Sequence, residues 1–70
     1  MRMAERLLNH LRTERAKRGL TQAELAVLVG VSRKTINTVE NEVFVPSTIL
    51  ALRLARALAT PVEGLFELCD

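Results

Sequence analysis

Arg33, Lys34, Asn37, Thr38 and Asn41 fall within nine residues. None is acidic, and every one can hydrogen-bond. At about 100° per residue, Ile36 and Val39 mark the inner side of a helix through this stretch. Lys34, Asn37, Thr38 and Asn41 then point the opposite way, with Arg33 on the flank near the start. Arg and Lys suit guanine edges or phosphate, Asn suits adenine, and a Thr methyl can meet thymine. A short helix with such a face fits a major groove. A merely solvated helix face has a similar composition, so the weight comes from what precedes it.

Other reactive side chains are sparse. His10 is the sole histidine and lies off the apolar side of its segment, so a solvent-exposed role is expected rather than metal binding or catalysis. Cys69 is the sole cysteine. It excludes an intramolecular disulfide framework and reads as an inert thiol, with an intermolecular disulfide as the alternative. There is no zinc-ligand spacing, no Gly-rich phosphate loop and no supported Ser/His/Asp set. The expectation is a non-enzyme with no cofactor, no metal and no small-molecule ligand.

The elements that position the polar face read as five helices. The first runs from about Met3 to Arg18, with Ala4, Leu7, Leu8 and Leu11 as its stripe and Gly19 just past its end. Thr21 and Glu24 have capping-box spacing and open the second, which stops at Gly30. Ser32 caps the third, about Arg33 to Glu40, and Asn41 to Pro46 is a loop. Ser47 caps a fourth, to Ala59. Thr60-Pro61-Val62-Glu63 offers another capping box, for a fifth over about Pro61 to Leu68. No segment alternates with period two over a useful length, so no strand is assigned. The fold class is all-α, one domain over residues 1–70.

Between the second and third helices each residue has a physical reason. Ala26 is small where the helices would cross closely. Gly30 can take the left-handed backbone of a tight turn. Val31 would plug the corner, and Ile36 and Val39 share the inner face.

The bulk numbers agree. Seventy residues allow one core near the lower limit of independent stability. The composition, 49% hydrophobic and 26% charged, is globular. The net charge is +2, but residues 1–41 hold eight Lys/Arg against four Glu, and residues 42–70 hold two Arg against four acids. A basic first half points to a polyanion, or to an ordinary solvated surface. No stretch reads as a membrane span or signal peptide, so no membrane association and a cytoplasmic location are expected.

The set Gly19-Leu20-Thr21-Gln22-Ala23-Glu24-Leu25-Ala26, Gly30-Val31-Ser32, Ile36 to Glu40-Asn41 and Pro46-Ser47 resembles the phage-repressor (Cro/CI, XRE-type) helix-turn-helix family. The resemblance covers about residues 9–68. It implies a five-helix, lambda-repressor-like fold binding double-stranded DNA, usually as a dimer on a two-fold symmetric operator, with the helix-turn-helix at 22–41. Carried over, Gln22 sits near the backbone or the first base pairs. Ser32, Arg33, Lys34 and Thr38 match base- and phosphate-contacting positions, Thr35 and Asn41 match phosphate-contacting ones, and Asn37 is exposed. The family has Gly after the Asn that follows the recognition helix, where this chain has Glu42. A Glu takes a left-handed backbone at a cost, so the loop is expected to turn differently, with Asn41 left-handed.

Arg15 falls in the middle of the first helix's apolar stripe and needs a partner there. Glu40, near the inner side of the third helix, is the candidate, and the resemblance implies such an Arg–Glu pair. Arg15 reaching to water from the end of the bundle is the alternative. In the fourth helix, Leu54, Ala55 and Leu58 read as the core side, joined by Ala51 and Leu52. That leaves Ile49 and Leu50, with Leu65, Phe66 and Leu68 beyond them, as either a homodimer interface or the completion of the core.

Two readings compete. One is a sequence-specific regulator, a repressor working as a homodimer on a palindromic operator, with no room for an inducer domain. The other is a protein-interaction module, such as an antitoxin component, binding a partner through helices 4 and 5 without a disordered tail.

Overall fold

A computed structural model describes residues 6–69. Five helices carry a small antiparallel strand pair at one end. The order is β1 (Arg6–Asn9), α1 (Leu11–Lys17), α2 (Gln22–Val29), α3 (Arg33–Glu40), α4 (Thr48–Ala57), α5 (Val62–Leu65) and β2 (Phe66–Cys69).

The caps explain the middle of the chain. Thr21 accepts from the Glu24 backbone N–H at 3.0 Å while the Glu24 carboxylate accepts from the Thr21 N–H at 2.8 Å, a complete capping box. Gly30 closes α2 in the left-handed region at φ 76°. Its N–H and that of Val31 bond back to the Ala26 carbonyl, which turns the chain sharply into α3. Ser32 and Ser47 cap α3 and α4 through the N–H groups of Thr35 and Leu50.

The ends of the chain differ from the helical expectation. The segment 6–9 is a strand, and α1 begins only at Leu11. The fifth helix is a single turn, and residues 66–69 pair with β1 in the register Arg6↔Cys69, Leu7↔Leu68, Leu8↔Glu67 and Asn9↔Phe66. The His10 N–H, donating to the Leu65 carbonyl at 2.7 Å, extends this tie by one step. Leu7, Leu8 and Leu11 fit a helical stripe equally well, but pairing between distant segments overrides local spacing. Four-residue strands are too short to show alternation. Thr60 forms no capping box; Pro61 is the cap of α5, and the Thr60 hydroxyl donates to the Leu58 carbonyl at 2.9 Å. Met3 and Ala4, assigned to the first helix and its stripe, lie outside the described residues.

Leu11, Leu25, Ile36, Leu54, Leu58 and Leu65 are fully buried, with Val29, Val39, Leu50 and Phe66 beside them. Leu50 and Leu54 line one side of α4, and Leu58 at its C-cap continues the four-residue spacing. Leu52 is two residues, about 200°, from Leu50 and points away, 56% exposed. Leu52, expected on the core side, is therefore surface, and of the two alternatives left open for Leu50 the completion of the core holds. Leu65 and Phe66 are core as well. Of the five residues offered as an interface, Leu50, Leu65 and Phe66 are used up inside the chain, and only Ile49 and Leu68 are exposed.

Candidate nucleic-acid interface

α3 is held from below by a buried carboxylate. The Glu40 side chain is fully shielded, and Arg15 Nε donates to its Oε2 at 2.6 Å with Nη2 to Oε1 at 3.2 Å. The remaining Arg15 nitrogen donates to the Leu20 carbonyl at 2.8 Å, so the guanidinium also fixes the α1–α2 turn. Arg12 Nε reaches Oε1 at 3.3 Å and Gln22 Nε2 reaches it at 3.1 Å. Burial pushes the Glu40 carboxyl up, but the hydrogen bonds from Arg15 and Gln22 and the Arg15 charge outweigh it, and its pKa lies below the ordinary value. The hydrogen bond to Glu40 in turn raises Arg15 against its own burial.

This cluster passes directly to the outer face. With its amide nitrogen held by Glu40, Gln22 turns its oxygen outward and accepts from Arg33 Nη1 at 3.2 Å. Arg12 Nη2 donates to Asn41 Oδ1 at 3.0 Å, and Asn41 Nδ2 donates to Asn37 Oδ1 at 3.3 Å. Gln22, Arg33, Asn37 and Asn41 are therefore joined through Arg12 and Glu40 into one hydrogen-bonded set. Lys34 is exposed and has no partner among the described residues.

Other residues of the set are placed differently. The Ser32 hydroxyl is engaged as the α3 cap and lies 3.0 Å from the Thr35 hydroxyl. Thr38 Oγ1 donates to the Thr35 carbonyl at 2.9 Å, which leaves the methyl as its outward chemistry. The Thr38 carbonyl accepts from Val43 and Phe44, folding that loop against the end of α3. Ser32, Lys34, Thr38 and Phe44 border a shallow recess there.

Sequence reasoning missed Arg12 and the Val43–Phe44 wall. Arg12 had a signal, three residues before Arg15 and so on the same side of α1. The wall had none, because its position depends on how the loop turns. That turn also corrects an expectation: Asn41 is right-handed at φ −89°, and Glu42 itself is left-handed at φ 61°. Glu42 is held by Arg6 Nη2 at 2.7 Å, an ion pair that helps offset the strain.

Residues 11–65 match the family described as Helix-turn-helix. The chain belongs to the XRE-type helix-turn-helix family. That family is one of DNA-binding transcriptional regulators. An HTH-type transcriptional regulator of Methanothermobacter thermautotrophicus is 49% identical to this helix-turn-helix protein over 59 residues, 83% of this chain and 86% of the relative. The HTH-type transcriptional regulator YgzD of Bacillus subtilis is 37% identical over 60 residues, 86% of this chain and 91% of the relative. The restriction-modification controller protein C.AhdI of Aeromonas hydrophila superposes with a TM-score of 0.73 at 35% identity, covering 77% of this chain and 82% of that one.

Elsewhere His10 Nε2 contacts the Glu67 carboxylate across the strand pair. The Cys69 side chain lies outside the description. No group of three His, Cys, Asp or Glu among the described residues is arranged to hold a metal, and no helix there is long and apolar enough to cross a membrane.

Proposed function

We propose that the protein binds one preferred sequence of double-stranded DNA as a homodimer, through α3, and represses transcription from a palindromic operator. The observation that carries this reading is the Gln22–Arg33 pair: an arginine aimed outward from the first turn of α3, its direction fixed by a buried carboxylate. Arg33 and Lys34 would meet guanine edges or phosphates, the Thr38 methyl would meet thymine, and Gln22, Ser32, Thr35, Asn37 and Asn41 would contact backbone or flanking bases. Two copies would set their α3 helices in successive major grooves, about 34 Å apart. Ile49 and Leu68, the exposed survivors of the interface set, with Leu52 beside Ile49, would supply apolar surface for the pairing. The similarity to a restriction-modification controller protein favours a regulatory role.

In vitro selection from random duplexes, followed by a salt titration, tests this. The expected result is an enriched two-fold symmetric site and an affinity that falls steeply with salt. Failure of any sequence to be enriched would overturn the reading.

A further inference from the structure

α2 carries five consecutive apolar residues, Leu25 to Val29, but the core takes only Leu25, Ala26 and Val29. Val27 is 81% exposed and Leu28 60% exposed. A helix that is apolar on both sides calls for cover on both sides. Here the second side borders a groove of about 500 Å³, with Val27, Leu28 and Gly30 on one wall and Arg53, Arg56 and Ala57 of α4 on the other.

The two arginines are distinctive. Arg6, Arg12, Arg15, Arg18 and Arg33 each donate to an acceptor within the chain. Arg53 and Arg56 have no partner among the described residues, and neither acidic residue type lines the groove. A second recess continues past both of them to the exposed Ile49 and Leu52. None of these residues borders the recess beside α3.

We propose that this groove docks an amphipathic acidic helix of a second protein, its apolar side chains on Val27 and Leu28 and its carboxylates on Arg53 and Arg56. A second copy of the chain fits poorly: a two-fold axis through the groove sets Arg53 and Arg56 against their own images with no acid to separate them. A nucleic-acid backbone would satisfy the arginines but leave Val27 and Leu28 facing charge. An acidic amphipathic helix satisfies both walls. The docking site proper runs from Val27 and Leu28 to Arg53 and Arg56 and shares no residue with the α3 face; Ile49 and Leu52, at its far end, belong to the homodimer reading.

A displayed library of helical 14-residue peptides, selected against the whole protein, tests it. Enriched peptides should carry Asp or Glu beside Leu, Ile or Phe at three- and four-residue spacing. Arg53→Glu with Arg56→Glu should weaken them about tenfold or more, and their Lys-for-Glu counterparts should bind the reversed protein in their place. Thermal melting of that variant should match the wild type, as both arginines are surface residues. Absence of enrichment, indifference to charge reversal, or failure of the swapped pair to bind would each overturn the proposal.

Discussion

Replacing Arg15 by alanine strips the buried Glu40 carboxylate of its closest partner. The variant loses the bonds at 2.6 and 3.2 Å to Glu40 and the bond at 2.8 Å to the Leu20 carbonyl. Removing one member of a buried pair costs about 3–5 kcal/mol. Arg12 and Gln22 remain on the carboxylate at 3.3 and 3.1 Å, which places the loss at the lower end, about 3 kcal/mol. A domain of this length is stable by roughly 4–10 kcal/mol, so a third or more of its stability is at stake. At about 4–8 °C per kcal/mol, the melting midpoint should fall by roughly 12–24 °C. Thermal unfolding followed by circular dichroism reads this directly, with urea unfolding to check that the slope is unchanged. A midpoint within about 3 °C of the wild type would refute the reasoning, because it would mean that the pair is solvated in solution.

The same carboxylate gives a pH dependence of known sign. Its pKa is depressed in the folded state, so its stabilisation is complete above the ordinary carboxylate value of 4.5 and is lost as the pH falls through the folded value. Glu40→Gln should therefore lose stability at neutral pH and show a shallower acid limb in urea midpoints; an unchanged limb would contradict this. Ala59 sits left-handed at φ 49° just after α4, so Ala59→Gly should raise stability by about 1 kcal/mol, and a loss would contradict it. Ser32→Ala removes the α3 cap and should cost about 1 kcal/mol in urea unfolding. Gln22→Ala should leave the fold intact and reduce discrimination at the base that Arg33 reads; unaltered discrimination would separate Gln22 from that role.

Local signals disclosed the centre of this chain. Thr21 with Glu24, Gly30 and Ser32 act through contacts within a few residues, and the bend they set is visible in their order. The ends were not legible. Residues 6–9 and 66–69 become strands only by meeting each other across nearly the whole chain, and Leu7, Leu8 and Leu11 suit either period. The outward facing of Leu52 has a related origin, because the side of α4 that faces the core depends on α2 and α5, not on α4 alone. In the candidate site, the facing of α3 followed from helix geometry. The network through Arg12 and Gln22 did not, since it needs three helices brought together. Glu42 shows the limit of arguing from residue type: a strained backbone persists where a partner such as Arg6 holds the side chain.

The proposed function requires that α3 meet the bases. Backbone amide shifts of labelled protein, titrated with the selected duplex, report on it residue by residue. The largest changes should fall at residues 32–38 and at Gln22, with α5 unmoved. Changes confined to α4, α5 and the strand pair, with α3 silent at saturating duplex, would contradict it.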